Sequence, residues 1–181
     1  MPADTGLIVG PLENLRSLVA ASSNWQTWTA TANATDARTH TFLMLPPPAA
    51  GEAYTKDELE IQRPFCIVDW FTGRQGTGGE PMSGEQLALG QFVVTAKVFV
   101  TFEADTPDEM KAQNSEPFLW FAQKVQGVLT DMLTLQGTGD YLSIQQPTLF
   151  APPRRSPRED KAGIGDLWTC TLLIETGPYI P

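Results

Sequence analysis

The chain has 181 residues, of which 41% are hydrophobic, enough for one ordinary core and too many for wholesale disorder. Its formal charge of −9 argues against a general basic surface for DNA or anionic lipid, while leaving room for a wall that DNA slides past. No apolar run approaches the ~18–20 residues of a membrane span and no basic-then-apolar signal opens the chain, so a cytoplasmic protein is expected.

Residues 1–10 are small and turn-rich and read as a loose arm. Pro11 can open a helix whose apolar positions are Leu12, Leu15, Leu18 and Val19. Ser22, Ser23 and Asn24 interrupt it, and Ser23 can cap a short turn carrying Trp25 and Trp28, which read as packing residues. Residues 29–37 look like a connector. Arg38 to Leu45 reads as a first strand, stopped by Pro46, Pro47 and Pro48. A polar insertion fills 46–62, with capping-box spacing at Thr55 and Glu58. Pro64 leads into a strand from Phe65 to Phe71, apolar except at Asp69.

Residues 72–86 form a Gly-rich loop. It is not a phosphate loop, because no Gly-Lys-Ser/Thr follows. Gly76, Gly78 and Gly79 make it a candidate mobile contact loop. Phe92 to Glu103 is the clearest strand: Val94, Ala96, Val98, Val100 and Phe102 share one face, and Thr95, Lys97, Thr101 and Glu103 share the other. Phe99 breaks the alternation. Thr106, Pro107 and Glu109 signal a short turn.

The longest one-sided apolar stripe lies in Ser115–Gln136. Phe118, Phe121, Ala122, Val125, Val128, Leu129 and Met132 recur at helical spacing. Ser115 can cap the start, Glu116 suits the positive helix end, and Gly137 is a plausible left-handed stop. Burying those seven side chains contributes on the order of 10–20 kcal/mol as an upper bound. Tyr141 to Phe150 then reads as a strand. Residues 151–165 read as a Pro/Arg-rich hairpin loop, and Leu167 to Glu175 as a last strand with Trp168, Cys170, Leu172 and Ile174 on one face. The fold expected is a single α+β domain: a mostly antiparallel four- to five-stranded sheet with an N-terminal helix and a long central helix packed on one face.

The residues for chemistry are sparse. The single histidine, His40, sits among threonines, and no Gly-x-Ser-x-Gly elbow accompanies it. Cys66 and Cys170 lie in apolar strands and read as reduced core residues, although adjacent strands could place them within disulfide reach. No CxxC, HExxH or calcium-loop spacing occurs, so neither catalytic residues nor a metal or other cofactor is expected.

Interaction signals are stronger. Trp120 projects away from the apolar arc, and its row neighbours Gly127 and Thr134 are small. The strip either packs under the N-terminal helix or meets another subunit, which makes Trp120 and Gly127 subunit-interface candidates. Arg154, Arg155 and Arg158 form a local basic patch in an acidic chain, suited to acidic loops of a neighbouring copy or to solvent.

The order of elements resembles the tail-terminator and tail-completion (neck) proteins of long-tailed bacteriophages. The stretches that carry this are Leu15-Arg16-Ser17-Leu18-Val19-Ala20-Ala21-Ser22 followed by Trp25 and Trp28, Arg63-Pro64-Phe65, Val98-Phe99-Val100-Thr101-Phe102-Glu103, Trp120-Phe121 and the closing Trp168 strand. The resemblance implies a non-enzymatic virion protein, assembled in the host cytoplasm. It implies a homo-oligomeric ring, typically a hexamer, that caps the tail tube protein and joins it to the head-tail connector. DNA would pass through an acidic lumen without specific binding. Another neck component, such as a head-completion protein, and a monomeric α+β binding module are the alternatives. The 46–62 insertion and the Arg154–Arg158 loop depart from the family layout.

Overall fold

A computed structural model describes residues 6–43, 63–70, 82–87, 91–110, 116–138, 141, 143–145, 147–160 and 163–176. Helix α1 spans Gly6–Ala21, α2 Ser23–Trp28, α3 Ala34–Ala37 and α4 Glu116–Leu135. The strands are β1 Thr41–Leu43, β2 Phe65–Trp70, β3 Met82–Leu87, β4 Gln91–Asp105, β5 Thr148–Asp160 and β6 Gly163–Glu175. The sheet order is β1-β2-β4-β6-β5, with β3 paired to the first part of β4. Among the described residues, only β1 and β2 run parallel. This is the expected α+β architecture, with a mostly antiparallel sheet and the long helix on one face.

Alternation in β4 and β6 decides where the core lies. Ala96, Val98, Val100, Phe102 and Ala104 are buried, as are Trp168, Cys170, Leu172 and Ile174. Their neighbours in the pleat face the other side and are half-buried. Helices α1, α2 and α4 close the buried face through Leu12, Leu15, Leu18, Val19, Trp25, Phe121, Val128 and Met132. At the centre, Trp25 and Trp28 meet edge to face at 5.4 Å, Trp28 stacks on Phe102 at 6.2 Å, and Phe121 stacks on Trp168 at 5.9 Å. Each fully buried indole N–H has an acceptor: Trp25 Nε1 donates to the Ala37 carbonyl and Trp168 Nε1 to Thr106 Oγ1.

Several boundaries differ from expectation. Residues 6–10 belong to α1, with Pro11 inside the helix at the cost of one intrahelical bond. The 29–37 connector contains α3, capped by Asn33, whose side chain accepts from Asp36 N–H. The chain then winds through a 3-10 turn at Arg38–His40, so only Thr41–Leu43 is strand. Ion pairing fixes this turn: Arg38 reaches Glu13 and Ser17 on α1, and Arg16 donates to the carbonyls of Thr41 and Arg38. Residues 82–86 of the expected Gly-rich loop are β3. Of the expected strand 141–150, Ile144 makes a single bridge to Thr176, and continuous pairing begins at Thr148.

The largest correction concerns 151–165. This stretch is not a loop but two antiparallel strands, paired from Thr148↔Leu173 to Asp160↔Gly163. Prolines suit it because β5 is the outermost strand, and the register shifts between Leu149 and Arg154, around Pro152 and Pro153. The last partner of β6 on β4 is the pair Asp105↔Leu167. Beyond it, β5 and β6 pair only with each other and leave the sheet as a two-stranded ribbon. At the opposite end, residues 91–96 of β4 pair with β3 ahead of its pairing to β2 and β6, making a second ribbon.

Candidate assembly surface

Helix α4 buries a different arc from the one its apolar residues outline. Pro117, Phe121, Val125, Val128 and Met132 are buried, whereas Phe118 is 43% exposed at the edge of Trp168. The arc turns because α2 docks on the row Trp120, Gly127 and Asp131. Trp120 packs edge to face on Trp28 at 6.2 Å and is only partly exposed. Gly127 lies under Asn24, whose side-chain nitrogen donates to its carbonyl at 3.3 Å. A Cβ at Gly127 would stand 3.0 Å from Asn24 Cγ, so the glycine admits the close approach of α2. Of the two occupants the sequence allowed, the strip holds the chain's own N-terminal helices. Trp120 and Gly127 therefore serve intramolecular packing.

Asp131 is the residue that sequence reasoning missed. Its Oδ2 accepts from Ser22 Oγ at 2.7 Å, Ser23 Oγ at 3.0 Å and Asn24 N–H at 2.8 Å. Ser22 Oγ in turn accepts from Trp25 N–H at 3.1 Å, so one carboxylate holds the capped start of α2. Burial alone would push this carboxyl up, but the Asn24 amide and the two serine hydroxyls outweigh it and hold it below the ordinary aspartate range. A Ser-Ser-Asn run matched by one acid on the polar side of the long helix was the available signal.

Among the described residues, no group of three His, Cys, Asp or Glu side chains stands close enough to hold a metal. His40 Nδ1 lies 3.0 Å from the Pro64 carbonyl. Cys66 and Cys170 are both buried thiols, and burial pushes Cys170 up to about 11 and Cys66 higher still. Both face Phe102 from opposite neighbouring strands. They are therefore two strand spacings apart, about 9–10 Å, beyond disulfide reach.

The sheet face away from the helices has a different character. Phe99 and Phe150 meet there at 4.7 Å, and the Oγ1 atoms of Thr101 and Thr171 lie 3.0 Å apart. Ile67 and Leu173 belong to the same side by register, and so do Asp69, opposite Phe99, and the pair Lys97 and Glu175. Phe150 is 57% exposed. Toward the β4 C-terminus the acids are tied: the buried Arg63 guanidinium pairs with Asp105 at 3.4 Å and Glu103 at 3.9 Å. Arg154 and Arg155 are both exposed on β5, but only Arg154, in register with Thr169, falls on this face; Arg155, in register with Trp168, falls on the helix side, and Arg158 pairs through its backbone with Gly165 in the ribbon. The structure thus spreads the three arginines along a strand. Gly76, Gly78 and Gly79, like the 46–62 insertion, lie outside the described residues.

No helix among the described residues is long and apolar enough to cross a membrane. No protein-family model matches the sequence, and no curated protein matches it.

Proposed function

We propose that this chain is a virion structural subunit, a ring-forming tail terminator that caps a phage tail tube and joins it to the head connector. One observation carries the reading: two ribbons leave opposite ends of one sheet. Two-stranded ribbons are marginal by themselves and hold their shape against a partner. A subunit that must touch one body above and another below needs such a pair of extensions. The Phe99–Phe150 sheet face with Arg154 beside it supplies a lateral contact, and the charge of −9 suits a lumen that lets DNA pass. The element order that resembles tail-terminator and neck proteins supports the same reading.

The test is assembly with recombinant tail tube and connector proteins, followed by light scattering and negative-stain imaging. Rings seated on tube ends are expected. A chain that stays monomeric at high concentration and forms no ring with either partner overturns the proposal. Rings that bind the connector but never the tube would assign it instead to a head-completion role.

A further inference from the structure

Each ribbon has an inner edge that pairs with no strand among the described residues. Thr176 N–H donates to the Ala96 carbonyl at 2.8 Å, and Ala96 N–H donates to Thr176 Oγ1 at 3.0 Å. The backbone groups of Ala96 therefore point to the β6 side, and alternation along β4 sends those of Val94 and Phe92 the same way. Pairing of β4 with β6 begins only at Lys97, and β3 lies on the other side of β4. In β6 the pairs Val100↔Leu172, Phe102↔Cys170 and Ala104↔Trp168 follow the same alternation, so Ile164 and Asp166 point their N–H and C=O groups to the β4 side. There β4 has made its last pair, Asp105↔Leu167, and turned into the 3-10 helix Asp108–Met110. Continuing β6 in register would not complete the first edge, since Pro178 would stand opposite Val94 with no N–H to give. Neither open stretch, 91–95 or 163–166, contains a proline. A row of unpaired N–H and C=O groups is a template for another strand.

We infer that the inner edge of β4 in one copy pairs with the inner edge of β6 in the next. The junction repeats, between copies, the antiparallel ladder that joins β4 to β6 within the chain. Lengths agree, because each open stretch is about 14–17 Å long. The offer of backbone groups agrees too: Phe92 and Val94 on one edge, Ile164 and Asp166 on the other. Facing agrees as well. Ala96, Val98, Trp168 and Cys170, which share this alternation, are buried on the helix side, so the joined sheets keep their helices on one face. Across the junction the sheet is four-stranded, β3-β4-β6-β5, where each ribbon alone has two strands. Each copy offers one edge of each kind, so the contact is head to tail and runs along the strands. β3 and β5 stay on opposite borders for the bodies above and below. This inference deepens the ring reading and rests on it only for closure.

Two proline variants test it. Val94→Pro and Ile164→Pro each remove an N–H aimed at an inner edge and leave the odd-numbered residues to pair with β3 and β5. Wild type is expected to assemble in light scattering, and each variant alone to remain at the 19.8 kDa protomer mass. Mixed one to one, the variants should form a species of twice that mass and nothing larger, because a single intact pair of edges remains. Circular dichroism and thermal melts establish that both variants are folded. Hydrogen exchange of wild type reads the same contact without a substitution and decides the matter where a variant folds poorly. The amides of Phe92, Val94, Ile164 and Asp166 should exchange about tenfold more slowly, or slower still, in assembled protein than in dilute monomer. A wild type that stays monomeric, a folded variant that assembles like wild type, a mixture that stays monomeric, or amides that exchange equally fast in both states overturns the inference. Wild-type rings on tube ends that persist in both variants would overturn it while leaving the terminator reading intact. The expected mixing pattern without any tube binding would do the opposite.

Discussion

Replacing Asp131 by alanine removes the one acceptor that Ser22, Ser23 and Asn24 share. Ser23 and Asn24 are exposed, so water replaces the lost partner at little cost. Ser22 is fully buried, and its hydroxyl loses its acceptor while still capping Trp25 N–H. An unsatisfied buried donor costs about 1–3 kcal/mol, so a loss of about 2–3 kcal/mol is expected for Asp131→Ala once the looser docking of α2 is included. That corresponds to a drop of about 4–12 °C in melting temperature for a chain of this size. Asp131→Asn keeps an oxygen but not the charge, and about half the loss is expected.

Acid should reproduce the effect in wild type. The folded carboxyl sits below its ordinary value, so its contribution is fully present above about pH 4–5 and declines as pH falls through the folded value. Urea denaturation of wild type and Asp131→Asn from neutral pH downward checks both parts. The gap between them should narrow in acid. A gap under about 0.5 kcal/mol at neutral pH, smaller than the usual uncertainty of uncoupled sites, would refute the anchoring role; so would a gap that ignores pH.

Trp120→Ala should act on stability more than on assembly. Losing a partly buried indole and its edge contact with Trp28 costs about 2–3 kcal/mol in chemical denaturation; full stability with impaired assembly would return Trp120 to the interface. Gly127→Leu should weaken the docking of α2 by more than about 2 kcal/mol, because its side chain meets Asn24; an unchanged melting temperature would show that α2 yields freely. Replacing Arg154, Arg155 and Arg158 with serine should reduce assembly more at low salt than at high salt; equal mass distributions at both salt levels would exclude them from the contact. Cys66 and Cys170 should resist thiol reagents until the chain unfolds, and non-reducing electrophoresis of native protein should show no internal bridge.

The elements that were legible are those whose periodicity is imposed by a core. Phe121, Val125, Val128 and Met132 in α4, and the even positions of β4 and β6, must alternate with polar residues because one side is dry. The Trp120–Gly127 side resisted because its occupant is chosen by a single carboxylate that meets Ser22, 109 positions earlier in the chain. Helix geometry says which residues share a row, but it does not say what arrives there. Phe118 illustrates the same limit, since it matches the apolar stripe yet stays partly exposed at its edge once α2 has turned the helix. Residues 151–165 resisted for another reason. Proline content argues against a strand within a sheet, but it argues little against an outermost strand, and the sequence does not reveal the sheet order.

Pro152, Pro153 and Pro157 give β5 three residues out of thirteen that have no amide proton to offer. A stray strand laid against that border finds an incomplete ladder, and the nearby shift in register spoils any regular template. Open-ended fibre growth along the hydrogen-bonding direction is thereby discouraged. A subunit protected in this way can accumulate to high concentration and still associate only through the surfaces and edges it leaves open, whose angles determine whether the assembly closes.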